Sequence, residues 1–144
     1  MILIVQSLWN EAITSKLAEG AKNVLDQRKL KHQVIQVPGA LEIPLAVQWG
    51  REKFKKKLMG AIACATVVKG DTYHFEIVSN ESARGLTDVG LKYSLPVSNG
   101  ILTCYNLNEA LERSGGKMGN KGEEAALALV HMLDLKRSFG GKKR

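Results

Sequence analysis

A chain of 144 residues, 44% hydrophobic and 24% charged, is one ordinary domain's worth with enough apolar content for a real core. No apolar run approaches the roughly 20 residues of a membrane span, and Met1-Ile2-Leu3-Ile4-Val5 lacks the basic start and cleavage site of a signal peptide, so it reads as a strand. The net charge of +7 is concentrated: residues 51–57 carry +4, residues 134–144 another +4, and the rest of the chain −1.

Both basic clusters fall where helices are expected to end, and cations there complement the helix dipole. No aromatic interleaving or reader motif accompanies them, so neither nucleic acid nor a membrane is an expected partner. Cys64 and Cys104 sit in apolar runs without spaced Cys or His partners. They read as free core thiols of a cytoplasmic protein, and no metal is expected.

Taken in order, the periodicity alternates between strand and helix. Ile2–Gln6 is an apolar strand, and Ile13–Gln27 is helical through Ile13, Leu17, Ala21 and Leu25. Gln33–Val37 is a strand ending at the turn Pro38-Gly39, followed by a helix over Leu41–Phe54 with Pro44 tolerated in its first turn. Ala61–Val68 is the third strand, and Thr72–Tyr93 a long helix carrying Phe75, Val78, Ala83, Leu86 and Val89. Pro96–Cys104 is a fourth strand, interrupted at Ser98-Asn99-Gly100.

Asn106 with Glu109, and Asn120 with Glu123, resemble capping boxes that open a short helix to Arg113 and a last helix to about Lys136. Residues 140–144 read as a basic flexible tail. The order predicts a single domain over 1–144: a three-layer α/β/α sandwich on a four-stranded parallel sheet with flavodoxin-like winding. Ligands in such folds collect at the carboxyl ends of the strands.

The turn Lys69-Gly70-Asp71-Thr72-Tyr73-His74 leaves a buried strand and opens a helix. Such a turn aims backbone N–H groups and the positive end of a helix dipole at one spot, which suits phosphate. His74 stands beside it and can carry protons near neutral pH. The turn is not a P-loop, and a plain strand–helix connection with a packing histidine accounts for it equally well. Val37–Pro44 frees N–H groups at another helix start, with Glu42 either facing a ligand or merely offsetting the dipole. Trp9, in the polar turn Ser7-Leu8-Trp9-Asn10, is either a stacking platform for a flat ring or ordinary packing. The glycine-rich segment Arg113–Gly122 supplies cations for an anionic substrate.

Together these segments make the chain resemble the 6,7-dimethyl-8-ribityllumazine synthase family from Ile2 to about Phe139. Four blocks carry the likeness: Ser7–Asn10, Val37–Pro44, Thr66–Phe75 and Gly100–Gly122. The resemblance implies an enzyme of riboflavin biosynthesis that condenses 5-amino-6-(D-ribitylamino)uracil with 3,4-dihydroxy-2-butanone 4-phosphate, without cofactor or metal. By position, Trp9 matches the aromatic residue that stacks on the pyrimidine, and Ala40, Leu41 and Glu42 the turn that binds the ribityl chain. Val67 and Val68 match residues lining the ring, Asp71 and Thr72 the phosphate-contacting turn, and His74 the proton-transfer residue. Arg113 matches the phosphate-binding arginine supplied by a neighbouring subunit, and Lys121 a lysine near the pyrimidine.

Two departures stand out. Asn99 occupies a position where many members carry a phenylalanine that covers the ring from the next subunit, and Leu41 replaces an aromatic or small residue. The resemblance further implies a ring of five with sites between neighbours. The compact Gly115–Gly122 turn points toward larger shells, while a start directly at the first strand points away from them. A non-catalytic flavin- or lumazine-binding protein on the same scaffold is the alternative; it needs Trp9 and Glu42 but not His74 together with Arg113.

Overall fold

Four parallel strands set the geometry. In the computed structural model, which describes residues 1–141, β1 (Ile2–Ser7), β2 (His32–Val37), β3 (Gly60–Val68) and β4 (Val97–Cys104) pair in the order β2-β1-β3-β4. The register runs Ile2 opposite His32 and Gly60, and Ala61 opposite Val97. The two central strands are buried on both faces, which explains their unbroken apolar runs.

Alternation along the strands sorts the side chains into two cores. Ile2, Ile4, Ile62, Cys64 and Leu102 pack under α1 (Glu11–Gln27) and α5 (Lys121–Phe139). Leu3, Val5, Ala61, Ala63 and Ala65 pack under α2 (Ile43–Phe54) and α3 (His74–Tyr93). The result is the three-layer sandwich and winding expected from the order of elements. Cys64 and Cys104 are buried and free, and among the described residues no helix is long and apolar enough to cross a membrane.

The differences from the sequence reading are local. A 3-10 turn, Ala40–Glu42, precedes α2, and α3 opens at His74 rather than Thr72. Strand β4 runs unbroken through Ser98-Asn99-Gly100. Gly100 is there for close packing: a Cβ would overlap the Ala63 carbonyl of the adjacent strand. Asn106 caps the short helix α4 (Leu107–Glu112) by accepting from the Glu109 N–H at 2.9 Å, while the Glu109 carboxylate reaches the N–H of Tyr105 rather than that of Asn106.

The glycine-rich segment contains a small antiparallel hairpin, β5 (Ser114–Gly116) and β6 (Gly119–Asn120), with Gly115 and Gly119 at φ 103° and 84°. Asn120 then caps α5 through the N–H groups of Gly122 and Glu123 and donates to the Lys16 carbonyl at 3.0 Å. Any side chain at Gly122 would run into the Leu17 backbone, so this glycine fixes how closely α5 meets α1. Helix α5 continues to Phe139, past the expected end near Lys136. Residues 142–144, read from the sequence as part of a basic tail, lie outside the described residues.

Candidate active site

Strand order reverses between β1 and β3, and the loops leaving them diverge there. In doubly wound sheets this switch point is where ligands sit. A cleft of about 360 Å³ opens at that place, lined by the ends of β1 and β3, the turn after β2 and the first turns of α3. That volume is within the usual range for a small-molecule site.

Three turns build its walls. Ser7–Asn10 leaves β1 and is stitched to the turn after β2: Leu8 N–H donates to the Val37 carbonyl at 2.8 Å and Trp9 N–H to that of Pro38 at 3.2 Å. Asn10 takes a left-handed conformation (φ 58°) before α1 begins. The Trp9 side chain is left 69% exposed, so the indole stands at the cleft as a free flat face and is not a core residue. Across from it, the Glu42 carboxylate accepts the Gly39 N–H at 2.9 Å. That bond holds the 3-10 turn closed and occupies one carboxylate oxygen, leaving the other for a ligand hydroxyl.

The third wall follows β3. Lys69 N–H bonds the Cys104 carbonyl at 2.9 Å, tying the end of β3 to the end of β4. Gly70 has open space where a side chain would go, so the backbone of this turn can be approached closely. Thr72 Oγ1 accepts from the His74 N–H at 3.4 Å, and His74 is exposed at the start of α3. Burial pushes the thiol of nearby Cys104 above its ordinary range, with Glu109 adding to the effect and Arg113 opposing it. It is kept as a neutral thiol by this setting.

The structure therefore brings Trp9, Ala40, Leu41, Glu42, Val67, Val68, Thr72 and His74 to one cleft. Asp71 is exposed in the same turn without lining the cavity. Three residues stand apart. Asn99 and Lys121 line a separate open depression beside β4 with Glu124 and Met132. Arg113 follows α4, its guanidinium donating to the Glu109 carbonyl at 3.1 Å with the Glu112 carboxylate at 3.8 Å.

The cleft also uses residues that pattern reading assigned elsewhere. Phe75 and Val78 line it, although their helical spacing marks them as core positions. Ser7 lines its floor as the buried last residue of β1.

A cleft with an exposed indole, a tethered carboxylate and a histidine at a helix start, set at the switch point of a parallel sheet, defines a flavodoxin-like α/β protein with a cleft of small-molecule size. Comparison with known proteins makes this specific. The pattern of the 6,7-dimethyl-8-ribityllumazine synthase family matches residues 1–137. The chain is 41% identical over 138 residues to the 6,7-dimethyl-8-ribityllumazine synthase of Beijerinckia indica, covering 96% of this chain and 76% of that protein. It is 43% identical to that of Afipia carboxidovorans over 96% of this chain and 86% of the relative. For the Agrobacterium fabrum protein of the same name the identity is 41%, over 97% of each chain. The chain belongs to the 6,7-dimethyl-8-ribityllumazine synthase family. It is accordingly a transferase of riboflavin biosynthesis, and the non-catalytic binding protein is not favoured.

Proposed function

We propose that this chain joins the 5-amino group of 5-amino-6-(D-ribitylamino)uracil to the carbonyl of 3,4-dihydroxy-2-butanone 4-phosphate and closes the second ring with loss of phosphate and water. The observation that carries the reading is one cleft lined by Trp9, Glu42 and His74 together. The ring amine is itself the nucleophile, so the protein's work is alignment and proton transfer. Trp9 stacks on the pyrimidine, the Ala40–Glu42 turn holds the ribityl hydroxyls, and Val67 and Val68 line the ring. His74 moves protons during imine formation and phosphate departure. Asp71, Thr72 and the N–H groups of their turn receive the phosphate.

Arg113, Asn99 and Lys121 do not line this chain's own cleft, and we assign them to the site of an adjacent copy. Support comes from the family likeness and from the exposed apolar residues Leu45, Trp49 and Ile77 on the α2–α3 side, which a neighbour would cover. The smallest working unit on this reading is a ring of five single-domain chains in the cytoplasm, acting without cofactor. Incubating purified protein with both substrates tests the reading: lumazine absorbance and inorganic phosphate should rise in equal amounts. Absence of both with folded protein overturns it.

A further inference from the structure

The end of the sheet opposite the cleft is strongly basic, and the fold makes it so. Lys29 and Lys31 precede β2, while Lys55, Lys56 and Lys57 precede β3; in sequence the two groups are far apart. Parallel pairing brings both to the start of β1. The Lys31 carbonyl accepts the Ile2 N–H at 2.8 Å, and the Lys57 carbonyl accepts from the Met1 amine at 3.0 Å. All five lysines are exposed. None of them has a carboxylate within ion-pair distance among the described residues.

The acids nearest in sequence are engaged elsewhere. Asp26 holds His32 at 2.7 Å, and Glu52 accepts from Tyr93 and Gln48. Arg28 is paired with Asp134. The field of the lysines reaches their neighbours: the Met1 amine is held below its ordinary pKa, by burial first and by Lys31 second.

The lysines are also held in place. Lys29 and Lys55 have φ of 55° and 49°, left-handed positions usually given to glycine or asparagine. Arg51 spends its guanidinium on the carbonyls of Lys55 and Leu58, closing the 3-10 turn Lys55–Lys57 from beneath. A flexible loop would let these charges separate; tight turns keep them together at the cost of mutual repulsion. Clustered uncompensated charge suits an anionic partner.

The kind of partner follows from what the two turns do not offer. Leu30 and Phe54 are half-buried, so neither turn exposes an apolar side chain. A protein interface needs a desolvated apolar centre, and stable membrane attachment needs an apolar or lipid signal besides charge. Sequence-independent binding of nucleic acid needs only cations that displace counterions from phosphates. Against the expectation from the sequence that nucleic acid is not a partner, we infer that the Lys29–Lys31 and Lys55–Lys57 turns form a docking face for the phosphate backbone of nucleic acid, read by charge and not by sequence.

Fluorescence anisotropy of a labelled 20-nucleotide oligouridine against the assembled wild-type protein tests this. Binding in the range of about 1–100 µM is expected at low salt, weakening with salt at a log–log slope of about −2 to −3.5. The triple variant Lys31→Glu, Lys56→Glu, Lys57→Glu should lose at least tenfold in affinity and flatten the slope. The same substitutions to Gln should lose less. Lumazine formation should stay unchanged in both, because β1 separates this face from the cleft by about 20 Å. Oligouridine binding that survives charge reversal overturns the inference. So does equal or tighter binding to polyglutamate, or to phosphatidylserine vesicles in a parallel titration.

Discussion

The side-chain carbonyl of Asn99 accepts the backbone N–H of Ile101 at 2.9 Å, two residues along the same edge strand. In a parallel strand, alternate residues direct their backbone groups to opposite sides. Among the described residues β4 has a partner only on its β3 side, so Asn99 satisfies an N–H that the sheet leaves unpaired. Asn99 thus has a structural task at the sheet edge. Asn99→Ala should lower unfolding free energy by about 0.5–1.5 kcal/mol, the net worth of such a bond. Asn99→Asp keeps the acceptor and should lose less. Urea denaturation of both variants distinguishes them; equal losses would show that the bond is not what the side chain contributes.

His74 stands exposed at the start of α3 within the cleft. His74→Ala should slow turnover by roughly tenfold to a thousandfold, somewhat less than the usual loss of a general acid–base group because the substrates are reactive and water can substitute. Stopped-flow measurement under conditions where chemistry limits the rate checks this. Turnover equal to wild type would remove His74 from the proton transfers.

Trp9 should report on the pyrimidine. With the indole 69% exposed at the cleft, a stacked heteroaromatic ring ought to quench its emission. Trp49 is the other tryptophan and is 61% exposed on α2, so the experiment uses Trp49→Phe. Titration of that variant with a non-reactive pyrimidine analogue should saturate; a flat titration counts against stacking.

The alternation of elements and the cleft's three turns were legible because each depends on local pattern: buried runs for β1 and β3, helical spacing for α1 and α3, and turn residues at Pro38-Gly39 and Gly70. Long-range contact was not legible. Ser98-Asn99-Gly100 looks like a break, yet Gly100 answers to the Ala63 carbonyl and Asn99 to the strand edge. The β5–β6 hairpin hides in a glycine-rich stretch whose turns need positive φ at Gly115 and Gly119. Phe75 and Val78 share a helical stripe with true core residues, and only the position of α3 over the end of β3 turns them toward the cleft. The lysines of residues 29–31 and 55–57 meet only because β2 and β3 flank β1.

Alkaline stability should carry the mark of the buried thiols. Burial pushes the Cys64 thiol up to about 12 from an unfolded value of 9.0. Below pH 9 both states hold the proton, so the group adds no pH dependence. Between pH 9 and about 12 the unfolded chain releases a proton that the folded chain keeps. Stability should therefore fall by up to about 1.4 kcal/mol per pH unit for this group. Denaturation midpoints should hold nearly level from pH 8 to 9 and decline from pH 9 to 10, the decline shallower in Cys64→Ala. An identical slope in that variant would assign the decline to other groups.

Arg113 offers the sharpest test of a shared site. Its guanidinium is half-exposed and outside the chain's own cleft, held by the Glu109 carbonyl at 3.1 Å. If it serves the phosphate of an adjacent copy, Arg113→Ala should raise KM for the butanone phosphate at least tenfold while leaving that for the pyrimidine nearly unchanged, because a charge-assisted contact to phosphate alone is lost. Free inorganic phosphate should compete in wild type and compete poorly in the variant. The decisive step is mixing. His74→Ala subunits keep Arg113, and Arg113→Ala subunits keep His74, so an interface between the two kinds in the right order carries both intact groups. Co-refolded mixtures should exceed the activity of either variant alone, with the gain greatest near equal proportions. Activity that stays at the average of the two parents, with subunit exchange shown by mass spectrometry, would assign both residues to one chain's own pocket.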